Sequence, residues 1–275
     1  MAGSRAPDEI VIVDNEAAVG APPPITASAG VRILSRADNP GYAASCNAGA
    51  AEATGDYLLF LNGDVLVSPD CLERCMEAIG SDPGIGVVTC QLRRLDGSLD
   101  HACHRGLPTP LASAAYKLRL DQIRPESRRL GRYRLSWLDP ATDHDVEACS
   151  GAFLLISRAL LEQVGGWDMR YWFYGEDLDL CVRVGRAGKR IRYLASAWAT
   201  HVKGASSYLG VPDRQLGPEQ RRTKRQVRAA IADSHELFFQ EHLASQASAP
   251  TRVAVGLMFA LQRARLRIAG SRGAG

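Results

Sequence analysis

The chain has 275 residues, 46% of them hydrophobic and 23% charged. A chain of this length buries roughly three-quarters of its unfolded surface, which excludes a disulfide-stapled miniprotein and a wholly disordered chain. Its 33 basic and 30 acidic residues leave a formal charge of +3, too small to mark a nucleic-acid binder, so any basic region must be local. Seven scattered cysteines without a CxxC spacing read as reduced thiols in a cytoplasmic core. The first residues carry no apolar leader, and the longest late apolar run, Val253 to Leu261, is about half a membrane span. A cytoplasmic protein, touching the inner face of the membrane peripherally at most, is expected.

In chain order, Ile10 to Val13 is an apolar β-branched strand ending at Asp14-Asn15. A Pro/Ala/Ser loop, Ala21 to Gly30, leads to a short strand, Val31 to Leu34. Tyr42 to Thr54 reads as an Ala-rich helix stopped by Gly55. Asp56 to Leu61 is a continuous apolar strand. Ser68-Pro69-Asp70 reads as N-cap, first-turn proline and first-turn acid of a helix ending near Gly80. Gly86 to Cys90 is a strand, and the Arg- and Pro-bearing stretch 100–145 an excursion over the surface. Ala152 to Ile156 restores a strand, and Arg158 to Val164 makes a short helix closed by Gly165-Gly166. Glu176 to Ala187 is a helix with Leu178, Cys181, Val182 and Gly185 on one face. Two final strands, Arg190 to Leu194 and Ala197 to Val202, precede a loop, Lys203 to Gly217. A basic helix, Glu219 to His242, and an amphipathic one, Thr251 to Ile268, complete the chain. All-apolar strands alternating with helices predict a mostly parallel sheet with helices on both faces.

Four constellations carry chemistry. Asn62-Gly63-Asp64 follows an apolar strand, where open α/β sheets bind ligands, and a carboxylate there can hold a divalent cation against a diphosphate. A turn acid reads the same way in isolation. Glu176-Asp177 opens a helix beside Tyr171, Trp172, Phe173 and Tyr174, which can desolvate a carboxylate and suit it to general-base work. Asp179 and Arg183, four apart, pair on the helix surface. His201 ends a strand and can complete a metal site if Asp64 begins one. Asn39-Pro40-Gly41-Tyr42, with Asn47, can leave backbone amides open to an anion. The trio His101, Cys103 and His104 lacks a second ligand pair at zinc spacing.

In this order the segments resemble the family 2 glycosyltransferases of the GT-A fold. The matching residues run from Val11 to Asn15, Asn39 to Gly49, Gly55 to Asp64, Ser150 to Ile156, Val164 to Asp168, Tyr174 to Arg183, and His201. They look most like the rhamnosyltransferase-like branch. The resemblance covers about residues 9–208. It implies a Rossmann-like nucleotide-diphospho-sugar transferase domain over 1–210 and a basic, amphipathic helical tail over 211–275. It further implies that Asp14, Asn15, Asn39, Gly41, Asn47 and Asn62 bind the nucleotide sugar. Asp64 and His201 would hold Mg2+ or Mn2+, Asp177 would be the base, and Glu176 would orient the acceptor. The expected reaction moves a sugar, by analogy rhamnose from a deoxythymidine diphosphate donor, to a glycan or lipid-linked hydroxyl with inversion. Such enzymes serve polysaccharide and cell-wall biosynthesis.

Two departures are visible. The metal motif keeps one carboxylate, with Gly63 where the branch usually has proline. Only Met1 to Glu9 precede the Asp14 strand, where the family places a first strand and helix, a βα unit of roughly 35–45 residues. An N-terminally short domain is therefore expected, and a non-catalytic GT-A-like partner subunit is the alternative. Arg221, Arg222, Lys224, Arg225 and Arg228 form a basic stretch without interleaved aromatics, which argues against nucleic acid. The apolar run from Val253 followed by Arg263, Arg265 and Arg267 suits an anionic membrane interface across 251–268.

Overall fold

A computed structural model describes residues 5–15, 30–36, 38–202, 209 and 211–271. Residues 21–29 of the first expected loop, and 203–208 and 210 of the loop expected over 203–217, lie outside them. The first strands, β1 (Ile10–Asp14) and β2 (Val31–Ser35), pair in parallel as a separate two-stranded sheet, Ile10 opposite Val31 and Asp14 opposite Ser35. The main sheet contains β3 (Tyr57–Leu61), β4 (Val65–Val67), β5 (Ile85–Arg93), β6 (His144–Val146), β7 (Phe153–Ser157) and β8 (Arg190–His201). Their order is β3-β7-β5-β8-β4, with β6 also on β8. The α/β class holds. The expected mostly parallel sheet, however, is mixed: β5 and β8 are parallel, while β3–β7, β5–β7, β4–β8 and β6–β8 are antiparallel. A continuous apolar run reports burial on both faces and carries no strand direction.

The two strands expected at the end of the domain are one. Leu194 pairs with Cys90 and Trp198 with Gln91, so β8 continues across a bulge. Asp143 Oδ1 accepts hydrogen bonds from the displaced Ala195 and Ser196 amides at 2.7 and 3.1 Å, which satisfies donors that the bulge takes out of the ladder.

Helix α1 (Tyr42–Glu52) ends two residues earlier than expected, with the Ala53 amide bonded to the Gly49 carbonyl. Helix α2 (Cys71–Ser81) is capped at Asp70 and not at Ser68. Asp70 is held there by Arg74, four residues on, at 2.7 Å. The excursion after β5 is partly helical, with a 3-10 turn at His101–Cys103, α3 (Pro110–Lys117) and α4 (Leu120–Ile123). It also turns two charged side chains, Asp100 and Arg105, inward. Helix α5 is Arg158–Gln163 and α6 is Glu176–Arg186.

The inward face of α6 differs from expectation. Leu178, Leu180, Cys181 and Val184 are buried while Gly185 is exposed. Asp179 is not on the surface. It is 2% exposed, receives Arg183 through Nε and Nη2 at 2.8 and 2.5 Å, and receives His242 Nε2 at 2.7 Å. His242 lies in a π-helical turn (Phe239–Leu243) that continues α7 (Pro218–Phe238). The tail is thus anchored on the helix that begins with the two candidate catalytic acids. The last helix, α8 (Ala249–Ser271), is longer than expected.

Candidate active site

The Asn62-Gly63-Asp64 turn joins β3 to β4 and is closed by the Val65 amide on the Asn62 carbonyl at 3.2 Å. Because β4 pairs with the end of β8, Val65 lies opposite His201. Register therefore places Asp64 beside His201, with Nε2 3.4 Å from Asp64 Oδ1. His201 is buried, and its Nδ1 lies 2.9 Å from Asp100 Oδ2. A carboxylate at Nδ1 fixes the proton on that nitrogen and leaves the Nε2 lone pair facing Asp64. Two acceptors at this separation call for a cation or a proton between them.

Among the described residues no three His, Cys, Asp or Glu side chains cluster so as to hold a metal alone. One imidazole and one carboxylate fit a divalent cation whose other ligands are phosphate oxygens and water. Asp100, 1% exposed, is missing from the sequence reading. It is 101 residues from His201. Only the return of the chain after β5, with the Asp100 amide on the Leu92 carbonyl at 2.8 Å, brings it there.

The second group begins with two consecutive left-handed residues, Tyr174 (φ 65) and Gly175 (φ 92). Tyr174 adopts this conformation without a glycine's freedom, a local strain of the kind that concentrates at functional sites. It delivers Glu176 and Asp177 to the first turn of α6, 6% and 8% exposed. Asp177 Oδ2 accepts from Arg105 Nη2 at 2.7 Å and from the Gly151 amide at 3.4 Å. Its Oδ1 accepts from the Leu178 amide at 2.8 Å.

Burial opposes the charge on Arg105, but Asp177 together with Tyr133 and Cys181 outweighs it, and the guanidinium pKa is raised. Among the described residues Glu176 has no such partner, and its Oε2 is buried without a hydrogen bond. Burial first, and the Asp177 charge second, push its carboxyl up to about 8. The two neighbouring acids therefore occupy opposite electrostatic environments, a division typical of paired catalytic carboxylates.

The nucleotide-side residues form a third group. Ser45 Oγ lies 2.9 Å from Asn15 Oδ1 and 2.8 Å from the Gly41 carbonyl, with its single proton shared between the two acceptors. Asp14, at the end of β1, offers its carbonyl to the Arg36 amide at 2.7 Å. Gly41 has φ 96, and a Cβ there would collide with the Trp172 carbonyl, so only glycine fits. The Asn39 carbonyl accepts from Trp172 Nε1 at 3.2 Å, and the Tyr42 amide donates to the Trp172 carbonyl at 3.0 Å. This links the start of α1 to the loop that leads into Glu176-Asp177.

Asn47, expected on the nucleotide side, uses both ends of its side chain on the backbone of Trp167. Its amide nitrogen donates to the Trp167 carbonyl at 2.8 Å, and its oxygen accepts from the Trp167 amide at 2.9 Å. Both ends of the side chain clamp the turn after α5, as the backbone-like geometry of an amide allows. Asn62 meets the site through its backbone, donating to the Ala152 carbonyl at 3.1 Å. Adjacent residues therefore tie the groups together: Ala152 holds the Asp64 turn, and Gly151 holds Asp177.

The chain matches the family described as Glycosyl transferase family 2 over residues 4–165, and Glycosyl transferase family group 2 over 139–266. It is similar to the N-acetylglucosaminyl-diphospho-decaprenol L-rhamnosyltransferase of Mycobacterium tuberculosis, at 30% identity over 213 residues, covering 73% of this chain and 68% of that protein. Rhamnosyltransferase WbbL of Escherichia coli K12 is 29% identical over 149 residues, 54% of this chain and 53% of the relative. A solved mannosyltransferase, PcManGT from Pyrobaculum calidifontis with GDP-Man and Mn2+, gives a TM-score of 0.46 at 15% identity, covering 94% of this chain and 74% of that one. The chain belongs to the family 2 glycosyltransferases, in their rhamnosyltransferase-like branch.

Proposed function

We propose that this glycosyltransferase moves rhamnose from a nucleoside-diphosphate donor to a hydroxyl of a lipid-linked or glycan acceptor, with a divalent cation and with inversion. The observation that carries the reading is the pairing of two unlike centres through residues 151–152. One is the Asp64–His201 pair with Asp100 behind it, and the other is Asp177 beside Glu176. Rhamnose is supported by the names of the relatives, and deoxythymidine diphosphate is the first nucleotide to test. Asp64 and His201 would hold a Mg2+ or Mn2+ ion, which would supply positive charge against the leaving diphosphate.

The chain's own residues do the rest. Asp177, ion-paired with Arg105, accepts the acceptor proton through Oδ1 as the hydroxyl attacks the anomeric carbon. Glu176, with its pKa near 8, keeps its proton at neutral pH and orients the acceptor as a hydrogen-bond donor. Both acids belong to one cluster on the same helix end, which supports a single displacement. In a transfer assay with a panel of nucleotide sugars and Mg2+ or Mn2+, Asp177→Asn should lose about 10²–10⁴-fold in rate and keep donor affinity. Full activity in that variant, retained configuration in the product, or no nucleoside-diphosphate binding with either cation would overturn the reading.

The outward face of α8 supports a peripheral membrane contact. Its packed side carries Phe259, which is buried and lies 6.4 Å from the Phe239 ring, centroid to centroid. Val253, Leu257 and Leu261, spaced by four on the opposite side, are each more than 60% exposed. The helix has arginines and no acid. Two copies pairing through this face would bring arginines together. An anionic lipid surface instead accepts both the apolar row and the charges.

A further inference from the structure

Arg105 lies outside the short segments in which the sequence resembles its family, yet it is a cation in direct contact with Asp177. Its Nη2 lies 2.7 Å from Asp177 Oδ2, with both side chains nearly buried at 13% and 12% exposure. The same nitrogen reaches the Cys149 carbonyl at 3.4 Å. Asp177 Oδ2 is thus engaged twice, by Arg105 and by the Gly151 amide. Among the described residues Oδ1 meets only the Leu178 amide of its own helix, so a lone pair remains for the acceptor proton.

The other titratable groups around the pair cannot replace this charge. Glu176 and Cys181 on α6, Cys149 before β7 and Tyr42 on α1 are neutral or acidic. Tyr133 lies beside the guanidinium. His235 on α7 is held neutral first by burial and then by Lys117 and Arg105. Removing Arg105 would leave two buried carboxyls side by side, which share one proton because two adjacent charges cannot both persist.

We propose that Arg105 is the positioning residue of the catalytic base: it holds Asp177 as the charged member of the acid pair and leaves Oδ1 for the acceptor. This rests on the transferase reading above. Arg105 follows Asp100 by five residues, so one segment of the excursion would support both centres, Asp100 behind His201 and Arg105 behind Asp177.

The test is the pH dependence of kcat in the full chain and in Arg105→Gln and Arg105→Lys. An opposite charge this close shifts a carboxylate by roughly one to three units. The acidic limb of Arg105→Gln should therefore move to higher pH by about that much, kcat at pH 7 should fall at least about tenfold, and donor KM should stay unchanged. Arg105→Lys keeps the charge but not the fork. It should restore the acidic limb and recover only part of kcat. An unmoved acidic limb in Arg105→Gln overturns the proposal however low its kcat, because a purely structural role lowers rate without shifting the limb. If Arg105→Gln does not fold, Arg105→Met, an uncharged side chain that fills the buried site, decides by the same reading: a raised acidic limb supports the proposal, and an unmoved limb overturns it. Absence of transfer by the wild-type chain would instead sink the transferase reading itself.

Discussion

Glu176 is the residue whose environment makes the sharpest prediction. Its folded pKa of about 8 stands above the ordinary carboxylate value, so the native state binds its proton more tightly than the unfolded chain does. The stability it contributes is fully present below about pH 4.5 and is lost as pH rises towards 8. Glu176→Gln keeps the neutral shape and should be stabilised relative to wild type by a margin that grows from pH 5 to 8 in thermal melts. The same variant should lose the alkaline limb of the kcat profile, because it has no proton to release beside Asp177. A constant Tm difference across that range would refute the buried, protonated assignment.

Asp100 gives a second prediction at this scale. A carboxylate behind a ligating histidine typically contributes about 10–100-fold in metal affinity. Asp100→Asn should weaken Mn2+ binding by that factor in a titration followed by electron paramagnetic resonance, with the fold intact by circular dichroism. Unchanged affinity would reduce Asp100 to the cap of the 3-10 turn, whose Ala102 amide it also accepts at 3.2 Å.

At the scale of elements, strand register and helix ends do the positioning. His201 meets Asp64 because β4 runs antiparallel to the last residues of β8. Glu176 and Asp177 are buried because Tyr174 and Gly175 turn the chain just before α6. The sequence shows the Gly175 break and the acids, but not the left-handed tyrosine, since no spacing pattern demands a positive φ there. Asn47 shows the reverse case. Its place in a family segment suggested a ligand contact, whereas the turn at Val164 to Trp167, 120 residues away, takes both its polar ends.

Helix α8 carries the prediction that belongs here. The chain should float with vesicles containing anionic phosphatidylglycerol and not with phosphatidylcholine alone. The double substitution Leu257→Ser and Leu261→Ser should abolish flotation with Tm unchanged, since both side chains are about 61% exposed. Equal flotation of the variant would remove α8 as the contact, and concentration-dependent dimers lost in the variant would assign its face to a second copy.

Across the whole molecule, no helix among the described residues is long and apolar enough to cross a membrane. All seven cysteines are unpaired thiols, six of them buried, as their scatter along the chain suggested. The tail is joined to α6 by His242 on Asp179 and to the preceding loop by Glu241 on Arg170 at 2.7 Å. The Asp179–His242 bond shows why the sequence misplaced Asp179. A four-residue spacing to Arg183 is correct whether the pair faces water or a neighbouring helix, and only the packing of α7 decides which.

The α/β class, the family and the two acidic motifs were determined by the sequence alone, because apolar periodicity, helix breaks and ordered motifs are local and survive in one dimension. The tertiary structure alone decided strand direction, the burial that raises Glu176, and the partners Asp100 and Arg105. Those depend on groups separated by 72 to 101 residues. Charge interactions act through space and through the dielectric that packing creates, and neither is written in the spacing of residues along the chain.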